Sequence, residues 1–188
     1  MKISLTGCSS TGKTTLAKAL IGSWGFGVVP KFIFVDGRRI LDEMGCKSMD
    51  TMSRNQQKEY QVKYFHNKIE SEDSEDNYIT DRSFVDIASY WLVRDTFDEP
   101  LEEQNKLVLP CQRLAKKYDF TFYLPTGILE FEKDGYRPEN ADFNKLVDEK
   151  IQYLLNDWGI RYYKIDMKSL TDRVTFIHNI LRTISSTK

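Results

Sequence analysis

Short apolar runs alternate along this chain with longer segments whose apolar residues recur at helical spacing. The first run, residues 3–6, ends at Gly7, and a helical pattern begins at Lys13 and stops at the glycines from Gly22 onward. Further short runs predict strands at residues 28–29, 78–80, 120–124 and 160–165. This alternation predicts an α/β fold of three layers, with a mostly parallel five-stranded sheet between helices on both faces.

Local signals at the segment ends set the expected helix boundaries. Ser53 is the expected N-cap of a long helix through residue 69, and Ser83 or Asp81 caps a helix through residue 91. Other helices are predicted at residues 38–44, 101–118, 141–158 and 170–184. The segment 70–77, which is rich in acidic residues, is expected to form a solvated turn.

Composition narrows the class of protein. The chain has 188 residues, 40% of them apolar, so we expect one domain over residues 1–188. A net charge of -1 provides no overall attraction for nucleic acid or anionic lipid. The three cysteines lack metal-ligand spacing, and no leader or membrane-spanning run is evident, so we expect a soluble cytoplasmic protein. The oligomeric state stays open, a homodimer included.

The strongest motif lies between the first strand and the first helix. Residues 7–14 read Gly-Cys-Ser-Ser-Thr-Gly-Lys-Thr and match G-x-x-x-x-G-K-[ST], the phosphate-binding P-loop. Backbone N–H groups of such a loop surround phosphate oxygens, Lys13 reaches the β- and γ-phosphates, and the Thr14 hydroxyl can bind Mg²⁺. The structural alternative is a chance match on an ordinary glycine turn, and the position of the motif between a strand and a helix argues against it. We therefore predict a site for ATP with Mg²⁺ made by Gly7, Ser9, Ser10, Thr11, Gly12, Lys13, Thr14 and Thr15.

A second candidate site follows the third predicted strand. Asp81, Arg82 and Ser83 come at its carboxyl end, the edge where ligands of open α/β sheets collect. Asp81 can hold Mg²⁺ or accept a proton from an attacking hydroxyl, and Arg82 can bind a phosphate with two N–H groups. The structural alternative is a capping aspartate beside a surface arginine.

These residues also carry a family resemblance. Residues 81–90 resemble the Asp-Arg motif of thymidylate kinases, and deoxynucleoside kinases have a similar acidic-Arg-Ser triplet. Residues 118–119 and 134–137, with Asp81 and Arg82, are similar to the P-loop family that includes nicotinamide riboside kinase. The resemblance implies a P-loop kinase that acts on a nucleoside or nucleotide.

A lid is predicted at residues 127–140, after the fourth strand. Arg137 is the expected catalytic cation of this segment, with neighbouring Lys133 as the alternative, and a plain polar loop is equally compatible with the sequence. In thymidylate kinases the lid or the P-loop supplies a catalytic arginine. Because this P-loop has none, the resemblance assigns the role to the lid.

The acceptor site is predicted from arginines and aromatic residues. Arg38 and Arg39 follow the second strand and can pair with an acceptor phosphate, although one solvated and one structurally paired arginine is the common arrangement. Tyr90 is a candidate for stacking on the acceptor base, and helical spacing also explains it as a core residue.

The sequence therefore predicts an ATP-dependent kinase whose acceptor is a small nucleotide, with a deoxynucleoside monophosphate as the preferred interpretation. A nucleoside or nicotinamide riboside kinase is the first alternative, in which Asp81 would serve as general base. A nucleotide-hydrolysing switch that acts through a partner is the second, although the chain has no guanine-reading Asn-Lys-x-Asp motif. Lys13, Asp81, Arg82 and Arg137 are the predicted catalytic residues.

Overall fold

The computed structural model describes residues 1–94, 100–130 and 141–185 of the chain. In this part, five strands alternate with seven α-helices and one 3₁₀ turn, Met49–Thr51. The strands are β1 Lys2–Thr6, β2 Lys31–Ile33, β3 Tyr78–Asp81, β4 Phe120–Tyr123 and β5 Tyr163–Lys164. The helices are α1 Lys13–Gly22, α2 Gly37–Glu43, α3 Arg54–Asp73, α4 Phe84–Val93, α5 Leu101–Ala115, α6 Ala141–Asp157 and α7 Leu170–Ser185.

The five strands form one sheet in the order β2-β3-β1-β4-β5, and each neighbouring pair is parallel. The central strand β1 pairs with β3 and with β4, so that Leu5 lies opposite both Asp81 and Phe122. Because the carboxyl ends of parallel strands meet at one edge, the loop after β1 and the residues after β3 come together there. The predicted α/β fold is confirmed.

Helices cover both faces of the sheet, which produces three layers. On one face, Leu16 and Leu20 of α1 pack with Ile177 of α7 in a cluster that includes Phe122. On the other face, α4 and α6 form a second cluster that includes Tyr123. Phe122 and Tyr123, consecutive residues of β4, therefore pack on opposite faces of the sheet, because side chains alternate along a strand.

The second strand lies three residues later than the sequence predicted. Val28 and Val29 are 81% and 56% exposed, and the strand begins after Pro30, where the Lys31 N–H donates to the Asn77 carbonyl. Proline has no N–H to donate to a ladder. Residues 33–36 alternate between buried and exposed, as expected of a half-buried strand, and β2 lies at the edge of the sheet.

Three further boundaries differ from expectation. Helix α3 continues to Asp73 instead of ending at residue 69, because Glu72 is buried and forms an ion pair with Lys68 in the preceding turn. The acidic stretch is therefore not wholly a solvated turn. Helix α5 ends at Ala115, and β5 is only two residues long. The lid prediction falls mostly outside the described residues, and the single domain stays a prediction.

Candidate functional site

The two glycines of the P-loop pattern occupy positions that disfavour a side chain. At Gly7, with φ +156°, a Cβ would overlap the carbonyl oxygen of Leu124. At Gly12, with φ +83°, a Cβ would lie 2.9 Å from Leu129 Cδ1 and 3.0 Å from Arg173 Nη1. Gly12 is also the left-handed residue immediately before α1. The loop can follow this path only without side chains at its two ends.

Lys13 is held over the loop by the loop's own acceptors. Its Nζ donates to the Cys8 carbonyl at 2.6 Å and to Thr11 Oγ1 at 3.1 Å. The side chain is buried, and burial lowers the pKa of the lysine. Both acceptors are uncharged, so an anion that enters the loop offers the ammonium a stronger partner.

Asp81 and Thr14 bring two oxygen ligands together. Thr14 lies in the first turn of α1, Asp81 ends β3, and the Thr14 hydroxyl donates a hydrogen bond to Asp81 Oδ2. Mg²⁺ in phosphoryl-transfer sites is held by one or two protein oxygens, substrate phosphates and water. A hydroxyl and a carboxylate in contact beside the phosphate loop fit such an ion. Asp81 does not cap α4, because Ser83 Oγ accepts from the Val85 N–H in that role.

Arg82 is directed toward the P-loop by an unusual backbone conformation. Its φ is +69°, a region that few residues other than glycine adopt. Its guanidinium lies 4.9 Å from the centre of the Tyr90 ring, and Nη2 donates to Ser9 Oγ at 3.3 Å. The arginine predicted to bind a phosphate thus lies beside the phosphate loop.

Tyr90 connects the P-loop with a second arginine. The Ser9 N–H donates to the Tyr90 hydroxyl at 3.1 Å, and Ser9 Oγ lies 3.0 Å from the same oxygen. The Arg94 guanidinium lies 5.3 Å from the Tyr90 ring centre and 5.5 Å from that of Phe143. Tyr90 therefore has two arginines against its ring and a hydroxyl that positions the loop.

Two site residues were not predicted from the sequence. Fully buried Asp86 accepts from the Gly7 N–H at 2.8 Å and from the Ser83 N–H at 2.7 Å, which joins the P-loop to the start of α4. The Ser-x-x-Asp spacing of a capping box is the signal that could have found it. Arg173 donates from Nη1 to the Thr11 carbonyl at 2.9 Å across 162 positions of sequence, a separation that no local pattern reveals.

A cavity of about 870 Å³ joins these groups, a volume near the upper end for small-molecule sites. Residues 9–14 of the P-loop, which follows the central strand β1, are part of its lining. Toward the β2 edge, the lining residues include Phe34, Asp36, Arg38, Tyr60, Tyr64 and Arg94. Toward the β5 edge they include Leu129, Lys168, Leu170 and Arg173.

Most of the predicted site residues meet in this cavity. Its lining contains Ser9, Ser10, Thr11, Gly12, Lys13, Thr14, Thr15, Arg38, Asp81, Arg82 and Tyr90, whereas Gly7, which packs against the Leu124 carbonyl, is not part of it. The structure does not bring Arg39 to the cavity. Its side chain is 77% exposed and pairs with Glu43 one helical turn away at 2.8 Å, and its binding of an acceptor stays a prediction. Arg137 lies outside the described residues.

Comparison with solved structures identifies the class of fold. Deoxyadenosine kinase from M. mycoides with bound dATP aligns over 97% of this chain and 100% of its own, with TM-score 0.69 and 15% identity. Thymidylate kinase from Candida albicans aligns over 99% and 92%, with TM-score 0.65 and 20% identity. The NadR protein in complex with NR aligns over 87% of this chain and 43% of its own, with TM-score 0.64 and 15% identity.

The parallel sheet, the glycine loop after its central strand and these structural neighbours define a P-loop kinase fold, as the resemblance implied. Residues 2–173 match the family AAA_28, described as an AAA domain, and the chain belongs to this family. No curated protein matches the sequence. Within the described ranges, every helix is too short or too polar to cross a membrane.

Proposed function

We propose that this protein transfers the γ-phosphoryl group of ATP, with Mg²⁺, to a deoxynucleoside monophosphate. The observation that supports the proposal is one continuous cavity that runs from the P-loop to a region lined by arginines and aromatic rings. The proposal includes a cytoplasmic location, where the three free cysteines would stay reduced. Burial raises the pKa of Cys8, so this loop residue stays a neutral thiol.

At the donor end, the chain's own groups bind and orient the triphosphate. Backbone N–H groups of the loop and the N-terminus of α1 favour the phosphates, and Lys13 exchanges its carbonyl and hydroxyl acceptors for phosphate oxygens. Thr14 and Asp81 would hold Mg²⁺, which neutralises charge on the phosphates when it is bound. Arg137 remains our candidate for a lid cation.

At the acceptor end, positive charge and aromatic surface occur together. Arg82 and Arg94 both lie against the Tyr90 ring, which faces the cavity, and Arg38 is nearby in its lining. Two guanidinium groups suit an acceptor phosphate, and Tyr60 and Tyr64 add ring surface for a base. A phosphate acceptor is already an anion, so it needs orientation by these groups more than a general base.

A nucleoside acceptor is the second candidate, and the cavity position of Asp36 favours it. This carboxylate follows β2, lines the acceptor side and accepts from the Arg38 N–H at 3.0 Å. A nucleoside hydroxyl needs a base, and either Asp36 or Asp81 can accept its proton. Deoxyadenosine kinase and NadR, which binds NR, are among the structural neighbours.

The deciding experiment measures ATP consumption with Mg²⁺ across nucleosides, deoxynucleosides, their monophosphates and nicotinamide riboside. Stimulation by one deoxynucleoside monophosphate supports the proposal, and stimulation by nucleosides alone supports the second candidate. A flat response with slow hydrolysis contradicts both and favours a nucleotide switch. Lys13→Ala should abolish the stimulated rate, whereas Lys18→Ala, on the exposed side of α1, should retain it.

A pair of arginine variants tests the acceptor end. Arg94→Met should raise KM for the monophosphate by about tenfold or more, the equivalent of one ~1.4 kcal/mol interaction, with little change in KM for ATP. Arg39→Met is the matched control, because Arg39 is exposed and paired with Glu43 outside the cavity. Equal effects of the two substitutions would remove Arg94 from the acceptor site.

A further inference from the structure

Lys68, in α3, is a fully buried cation that does not line the cavity. Its Nζ forms an ion pair with Glu72 Oε1 at 2.9 Å, donates to the Thr80 hydroxyl, and donates to the Arg82 carbonyl at 2.6 Å. An ammonium group has three N–H donors, so each of them has an acceptor. Such complete pairing is what a charge removed from water requires.

Two of these acceptors flank Asp81 in the sequence. Thr80 precedes it in β3 and Arg82 follows it, so the Lys68 ammonium spans the strand end that carries the candidate metal ligand. The Asp81 carbonyl is a more distant neighbour at 3.4 Å. Lys68 therefore contacts the backbone of the site from behind, while the side chains of the site face the cavity.

Arg82, whose carbonyl accepts from Lys68, is one of two non-glycine residues with a positive φ in the part of the chain that the structure describes. With φ +69°, Arg82 donates its N–H to the Leu5 carbonyl at 3.0 Å and presents its carbonyl to Lys68. This arrangement leaves the guanidinium on Ser9 and against the Tyr90 ring. Because the Arg82 N–H is held by Leu5, a change in φ at Arg82 would rotate its carbonyl and its side chain together, away from Lys68 and from both of these contacts.

Glu72 completes a charge-balanced network behind the site. It is buried and accepts hydrogen bonds from the Tyr78 and Tyr118 hydroxyls, each at 3.1 Å, in addition to the pair with Lys68. Replacement of a buried ion pair by apolar groups is often neutral or stabilising. Stability alone therefore does not explain a lysine at this position, whereas fixing the Arg82 carbonyl does.

We propose that Lys68 is a positioning residue of the phosphoryl-transfer site, which holds Arg82 in the left-handed conformation that aims its guanidinium at the P-loop. This inference rests on the proposed kinase function for its effect on rate. In this proposal Lys68 does not contact the substrate. It acts only through the backbone that carries Asp81 and Arg82.

The test uses the double variant Lys68→Met/Glu72→Gln, which removes the ammonium without leaving a buried carboxylate unpaired. The expected result is a kcat lower by about 10²-fold, the effect of misplacing a group by about 1 Å, with KM for ATP within about twofold. The control is Lys63→Met/Glu59→Gln in the same helix, an exposed pair at 2.9 Å, which should retain wild-type kcat. Assays are run well below the measured Tm of each variant.

A crystal structure of the double variant provides a readout that is independent of turnover. The expected outcome is loss of the positive φ at Arg82 and of its contacts with Ser9 and Tyr90. If Arg82 keeps its conformation, or if the folded variant keeps its kcat, the inference is wrong. A wild-type protein that is inactive across the acceptor panel would refute the proposed function, and the structure would still decide whether Lys68 sets the conformation of Arg82.

Discussion

The carboxylate of Asp86 joins the P-loop to helix α4, and its neutral isostere should measurably destabilise the protein. Asp86 is fully buried, with Oδ1 accepting from the Gly7 N–H at 2.8 Å. Oδ2 accepts from the Ser83 N–H at 2.7 Å and from Ser83 Oγ at 2.9 Å. In Asp86→Asn, one acceptor oxygen becomes an NH₂ donor, and donors already face both positions.

The magnitude follows from the bonds that are lost. With the new NH₂ toward Gly7, one buried N–H loses its acceptor, which costs about 1–3 kcal/mol. The two bonds from Ser83 persist without charge assistance, at about half their former strength. A neutral amide is less costly to bury than a carboxylate, which offsets part of this loss. We expect a net destabilisation of about 3 kcal/mol, which for a chain of this size lowers Tm by roughly 6–12 °C.

Equilibrium urea unfolding of wild type and Asp86→Asn, followed by circular dichroism, measures this difference. The slope of the free energy with urea should stay constant, since the surface exposed on unfolding is unchanged. Asp42→Asn in α2 is the control, because Asp42 is exposed and should change stability by less than about 0.5 kcal/mol. An Asp86→Asn protein as stable as this control would refute the proposed role of the carboxylate.

Other substitutions test the proposed binding of phosphate and Mg²⁺ in the cavity. Burial lowers the pKa of Lys13 in the folded state, so between that pKa and the ordinary value of 10.5 the unfolded state binds more protons than the folded state. The stability of the wild type should therefore rise relative to that of Lys13→Met as the pH is raised toward 10.5. Parallel pH profiles from urea unfolding would contradict this assignment. Thr14→Val should raise the Mg²⁺ concentration for half-maximal ATP consumption about tenfold, a loss of ~1.4 kcal/mol, whereas exposed Thr175→Val should not. Arg173→Met removes the hydrogen bond to the Thr11 carbonyl of the P-loop and should raise KM for ATP in steady-state kinetics. The control Arg161→Met, at an exposed position, should leave KM for ATP unchanged. Equal KM values for the two variants would exclude a role for Arg173 in ATP binding.

Features that depend only on residues close together in the sequence could be predicted. The P-loop is contiguous, and its required glycines and helix start are local properties of residues 7–14. The N-cap at Ser53 and the short helix α2 followed from similar local signals. The second strand was missed because adjacent valines resemble a buried strand, while the correct edge strand depends on which neighbour it pairs with.

The sequence by itself determined the strand and helix alternation and the position of the P-loop motif, because each of these is encoded in spacings of a few residues. Only the tertiary structure decided which distant groups meet at that loop. Asp86, Arg173 and Lys68 reach the site from three different helices, and Arg39, adjacent in sequence to a cavity residue, does not. The sheet order sets these distances, and it depends on the packing of all the helices together rather than on any local pattern.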